Sequence, residues 1–198
     1  MSLLLESVRI VDGQWMNVAY HRQRMDDSSL ELFGRAFSVD FETIEIPAEY
    51  RRGIVKGRVV YDTQVREIGF DHYSPRRIGS LQLVYDDKID YHLKWADRTV
   101  LNELVKQKGA ADEILIIQNG FVTDISYANV VVRFKDRLVT PAHCLLKGTR
   151  RRQLLDQCVV SEEDITVDKL FEAESVIIIN AMLGLEDEIR IPISRIFR

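Results

Sequence analysis

The chain is 198 residues long, with 46% apolar and 29% charged residues and a formal charge of −4. That is an ordinary globular balance with length for one large domain or two small ones, and the charge excludes broad attraction to nucleic acid or anionic membranes. No run approaches the roughly 20 apolar residues of a membrane span, the opening MSLLLE is too short in apolar residues for a signal peptide, and Cys144 and Cys158 lie in no CxxC or Cys/His spacing, so a cytoplasmic protein is expected.

In chain order, LLLESVRIVDGQW predicts a strand, a turn at Asp12-Gly13 and a second strand. AYHRQRMDDSSLELFG predicts a helix ending at Gly34. The stretch from Arg51 to Tyr73 is β-rich, and SLQLVYD is a further strand. Tyr91, Leu93 and Trp95 alternate with His92 and Lys94 in strand fashion, and from Ala96 the apolar positions Ala96, Val100, Leu101, Leu104 and Val105 take helical spacing. Asn119-Gly120 between two apolar runs predicts a tight hairpin, and Lys135-Asp136 another turn. A helix is expected after Gly148, a short threonine-capped helix in ITVDKLFEAE, and a buried strand in SVIIINAML. The elements make an α+β (mixed α/β) chain in two lobes, a small N-terminal α/β lobe over 1–80 and a larger lobe over 81–198.

Four places carry possible chemistry. Lys94 is expected just before a helix N-terminus, where the helix dipole opposes a second positive charge; if also buried, its amine becomes a usable nucleophile. A lysine with its ammonium in water is the alternative the residues also allow. Gly148 and Thr149 open a helix whose unpaired N–H groups suit a phosphate-bearing small molecule, or they form an ordinary cap before a solvated arginine run. Asp124, expected just after the second hairpin strand among Val122, Ile125 and Tyr127, suits a protonated pyridine nitrogen, or is a turn aspartate bonded to its own backbone. Arg24 shares a helix face with His21 and offers a fixed charge to a phosphate dianion, or is a surface arginine. No histidine pair has metal-ligand spacing, so no metal is expected, and no GxSxG, Walker or dinucleotide motif is present.

Along the chain stand HxxR at His21 and Arg24, a lysine followed by xxxR at Lys94, an acidic residue in VTD.S.AN, a TP strand, LL.GT.R..LL, and AE…IINAM. Their order and spacing resemble the class IV aminotransferases, the fold-type IV pyridoxal 5'-phosphate enzymes that include branched-chain and D-amino-acid aminotransferases and aminodeoxychorismate lyase. The resemblance runs from ESVRIVDGQ nearly to the C-terminus. It implies a D-amino-acid aminotransferase-like fold with a shortened N-terminal lobe, a homodimer, and pyridoxal 5'-phosphate held as an imine by Lys94. It further implies that Asp124 meets the pyridine nitrogen where the family has glutamate. Arg24, Gly148, Thr149 and Arg150 would hold the phosphate, with Asn180 and Ala181 closing over it, and Arg58 is a weaker candidate for a substrate carboxylate. The family's GIT is GTR here, a change that backbone N–H donors survive. INAM is closer to the lyase branch. The implied activity is amino transfer between a small amino acid and a 2-oxo acid, with a lyase releasing pyruvate as the alternative and a non-catalytic cofactor-binding relative as the second.

Overall fold

A computed structural model describes residues 3–198. The chain forms two compact units, Met1–Pro75 with Leu93–Asp97, and Arg76–His92 with Arg98–Arg198.

The first unit is an antiparallel sheet with one long helix. Its strands are β1 (Leu4–Val11), β2 (Gln14–Trp15), β3 (Ile54–Tyr61) and β4 (Val65–His72), in the order β2-β1-β3-β4. Asp12 and Gly13 both take left-handed backbone (φ 48° and 81°), the twist that a two-residue hairpin needs. Helix α1 (Val18–Phe33) ends on left-handed Gly34, whose N–H returns to the Leu30 carbonyl at 3.0 Å. Leu4, Val8 and Val59 from the sheet pack with Met25 of α1, Phe41, Tyr61 and Leu93.

Residues 93–97 join this unit through main-chain bonds. The Lys94 carbonyl accepts from Leu5 N–H, and Ala96 N–H donates to the Leu3 carbonyl, both at 2.9 Å. Trp95 N–H also donates to the Leu93 carbonyl at 2.9 Å, closing a three-residue turn about Lys94. This pairing displaces the expected helix start. Helix α2 runs Thr99–Val105 rather than from Ala96, because the backbone of Lys94–Ala96 is engaged by a strand some ninety residues earlier.

The second unit contains two sheets. One is ordered β13-β5-β6-β7, from Ile196–Phe197, Leu81–Tyr85, Glu113–Gln118 and Phe121–Ile125. The other is β10-β9-β8-β11-β12, from Ser161–Glu163, Leu138–Pro141, Asn129–Arg133, Ser175–Ile179 and Arg190–Pro192. Helices α3 (Thr149–Asp156) and α4 (Val167–Leu170) complete it, with Thr166 capping α4 by accepting from Lys169 N–H. Asn119 and Gly120 at the β6–β7 turn have φ of 51° and 83°, the expected hairpin geometry. Strand β11 is buried at every position, which accounts for its unbroken apolar run.

Among the described residues, no helix is long and apolar enough to cross a membrane.

Candidate active site

The first unit holds a polar cluster inside its core. Glu6 stands on the β1 face that Leu4, Val8 and Ile10 also use, and it is 0% exposed. Arg24 reaches it from α1 with two bonds, Nε to Oε1 at 2.9 Å and Nη2 to Oε2 at 2.6 Å. His21, one helical turn earlier on the same face, places Nδ1 at 2.6 Å from Oε2.

Burial opposes the charge on Glu6, but Arg24 and then His21 outweigh it and hold the carboxyl at about 2. For His21, burial exceeds the attraction of Glu6, and the charges of Arg24 and Lys94 add to it, so the pKa lies below the ordinary value. The ring is therefore neutral at neutral pH. Because ionised Glu6 can only accept, the imidazole proton is on Nδ1. Lys94 itself is half-buried, on a backbone fixed on both sides by the β1 bonds.

Arg58 is not part of this cluster. Its β3 position pairs with Ser7, whereas Glu6 pairs with Val59, so Arg58 lies on the other face of the sheet. There its Nη1 donates to Glu67 Oε1 at 2.7 Å.

In the second unit, Asp124 lies within β7 rather than after it and is 4% exposed. Ile125 N–H donates to the Ala128 carbonyl, a tight return that brings Asn129, the first residue of β8, beside Asp124. Asn129 Nδ2 donates to Asp124 Oδ1 and to the Leu146 carbonyl, each at 2.8 Å, and Leu146 N–H donates to Asp124 Oδ2 at 3.0 Å. Burial pushes Asp124 up to about 6, against the pull of Leu146 N–H, Asn129 and the Arg151 charge. Arg151 is itself buried, donating from Nη2 to the Pro141 carbonyl at 2.8 Å and Glu162 Oε1 at 2.5 Å.

The same asparagine touches the α3 start. A Cβ on Gly148 would come within 1.9 Å of Asn129 Oδ1, so the close approach admits only glycine. Gly148→Ala is expected to displace Asn129 and cost about 2 kcal/mol, read as a fall of roughly 4–8 °C in Tm; an unchanged Tm would show that the contact is unimportant.

Gly148 caps α3 with extended backbone and no side-chain hydrogen bond, leaving the helix start to its own N–H groups, with Thr149 buried at the first position. Arg150 turns its guanidinium aside: Nη2 donates to both oxygens of Glu186, at 2.5 and 2.7 Å, and Nη1 to Gln153 at 2.7 Å. Its Nε is buried with no hydrogen-bond partner among the described residues.

Asn129 pairs with Ile179 across β8 and β11, so the turn holding Asn180 and Ala181 follows directly beside this cluster. The Asn180 side chain braces that turn, with Oδ1 accepting from Met182 N–H at 2.8 Å and Leu183 N–H at 3.1 Å.

The second unit thus gathers Asp124, Gly148, Thr149, Arg150 and the Asn180 turn around Asn129, and the first gathers Arg24 with Glu6 and His21, near Lys94. Glu6 and Arg151 had gone unrecognised. The available signal for Glu6 was a carboxylate on the apolar row of a period-two strand.

The profile of the family described as Amino-transferase class IV matches residues 90–187. A Haemophilus somnus protein, provisionally named 4-amino-4-deoxychorismate lyase, is 35% identical, with a TM-score of 0.83 over 93% of this chain and 98% of its own. A Mesorhizobium loti protein, provisionally named an amino-acid aminotransferase, is 23% identical, with a TM-score of 0.76 over 97% and 98%. A hypothetical aminotransferase from Mycobacterium tuberculosis, in a PLP-bound form, is 17% identical, with a TM-score of 0.73 over 91% of this chain and 78% of its own.

The chain belongs to the class IV aminotransferase family and has its mixed α+β fold. It is an enzyme of that family, whose members depend on pyridoxal 5'-phosphate.

Proposed function

We propose that this protein is a pyridoxal 5'-phosphate enzyme that transfers an amino group between a small amino acid and a 2-oxo acid. The observation that carries the reading is the buried Asp124 carboxylate, held by Asn129 and Leu146 N–H beside an uncapped helix start. The residues fit the cofactor. A buried acid pushed up to about 6 lacks a full counter-charge, which a pyridinium supplies, and the α3 N–H groups with the orphaned Arg150 Nε suit a phosphate.

When bound, the cofactor supplies an aldehyde for amines and a ring that takes up the electron pair left by a broken Cα–H bond. Lys94 Nζ would hold the cofactor at its aldehyde carbon. The Lys94 amine would move the proton at the substrate Cα, as general base and acid in turn. Asp124 would accept from the pyridinium N–H and keep that nitrogen protonated. The Gly148–Thr149–Arg150 backbone would anchor the phosphate, with Asn180 and Ala181 shaping the turn beside it, and Arg24 is the first unit's candidate for the same role. The domain reading is a small lobe over 1–80 carrying Arg24 and a larger lobe over 81–198 carrying Asp124, acting as a homodimer, with Lys94 on the 93–97 segment that belongs to the first unit.

A second reading is a lyase that releases pyruvate, favoured by the name of the 35% identical Haemophilus somnus relative and by INAM. A spectral screen separates the two. The protein with pyridoxal 5'-phosphate is expected to be yellow and to convert to the pyridoxamine form with a member of an amino-acid panel that includes both enantiomers. Pyruvate released from aminodeoxychorismate without that conversion selects the lyase, and a protein that gains no visible absorbance with the cofactor removes both.

A further inference from the structure

Glu6 has no part in the reaction just described, yet it sits at the centre of the polar cluster in the first unit. Its place on β1 belongs to a row of core residues, Leu4, Val8 and Ile10, where an apolar side chain is the expected occupant. A carboxylate held there without water is costly unless its partners are well placed. They are: Arg24 meets it along one edge of the guanidinium with two bonds, and His21 supplies a third donor.

This grip decides what Arg24 can offer to anything else. An arginine has five N–H donors in a fixed plane. With Nε and one Nη2 proton given to Glu6, and Nε unable to turn, the plane of the guanidinium is set and the Nη1 edge keeps one orientation. The side chain is already ordered, so an anion docking on it need not order it. Charge works in the opposite direction. Ionised Glu6 offsets the positive charge of Arg24 and repels a dianion, so the carboxylate gives no electrostatic help.

We propose that Glu6 is a positioning residue for phosphate recognition: it clamps Arg24 so that the free edge of the guanidinium is preset for the cofactor's phosphate. The inference rests on the reading that Arg24 contacts that phosphate.

The two effects of Glu6 have opposite signs, and this makes the test sharp. Affinities for pyridoxal 5'-phosphate and for unphosphorylated pyridoxal are compared in cofactor-stripped wild type and Glu6→Gln. Glu6→Gln removes a repelling charge but also the two-point grip. It is expected to weaken the phosphorylated ligand about tenfold while changing pyridoxal less than about twofold. Equal weakening of both ligands would mean a purely structural role, and unchanged or tighter binding of the phosphorylated one would mean that charge dominates; either overturns the proposal. Wild type that binds neither ligand defeats the broader functional reading instead, and wild type with no preference for the phosphorylated form defeats the role of Arg24.

Should Glu6→Gln fail to fold, the wild type answers alone. The Arg24 Nε–H resonance of the cofactor-free protein is expected to be sharp and slow to exchange with solvent. A signal broadened by rapid exchange, as for an exposed arginine, overturns the clamp.

Discussion

Lys94→Ala is expected to lower turnover by at least about a thousandfold, with the fold retained. The fold survives because the chain holds this residue by its backbone: the carbonyl accepts from Leu5, and the neighbouring Trp95 and Ala96 N–H groups are bonded to Leu93 and Leu3. Alanine keeps all of these. What disappears is the amine, which under the proposed function both bonds the cofactor and carries the substrate proton, so one substitution removes two contributions. Single-turnover rates with the best amino acid of the panel, beside thermal melts, measure the outcome. Borohydride treatment of wild type should also add the reduced cofactor's mass to the peptide containing Lys94. A variant within about tenfold of wild type, or a label on another lysine, would end the assignment.

The second large effect concerns Asp124. Asp124→Asn is expected to slow turnover by about 10²–10³, the scale of losing one member of a buried, hydrogen-bonded charge pair. The amide is also mismatched locally, since both Asp124 oxygens receive N–H donors, from Asn129 and Leu146, and an asparagine would present N–H to one of them. Under the proposed function Asp124 takes no part in phosphate anchoring, so affinity for inorganic phosphate should change little. A variant with full turnover sinks the pyridinium role.

A pH signature accompanies it. The Asp124 carboxyl lies at about 6 in the folded cofactor-free chain against an ordinary 3.8, so the native state holds this proton more tightly than the unfolded state. The corresponding stability is fully present below about 4 and is lost as pH rises through about 6. Wild type should therefore lose stability relative to Asp124→Asn across that interval, and parallel curves would contradict the burial argument.

How much of this was legible beforehand depends on where each instruction resides. The Asp12-Gly13 and Asn119-Gly120 turns were readable because the backbone twist they need is written in two adjacent residues. Gly34 ended α1 for an equally local reason. The start of α2 was misread because Ala96 fits a helical row, while its backbone is engaged by Leu3 from the far end of the chain. The Lys94 reading shifts accordingly: α2 begins at Thr99, five residues on, and a helix dipole acts within its own first turn, so fixed backbone and partial burial remain as the residue's distinguishing features. At Asp124 the residue type suggested the proposed chemistry, but its setting depends on Leu146, which is 22 positions away. Family likeness suggested the proposed roles of Arg24, Gly148 and Asn180; it could not reveal that Arg150 is turned toward Glu186 or that Arg24 is gripped by Glu6.

The membership of residues 93–97 in the first unit has a consequence for how the protein is made. While the ribosome has delivered the chain only as far as residue 75, the outer edge of β1 at Leu3–Leu5 lacks the segment that will occupy it, and stays open until position 97 has emerged. An excised N-terminal fragment would carry that open edge permanently and be prone to self-association. A circular permutant or split version that keeps residues 93–97 with the first unit should stay in solution.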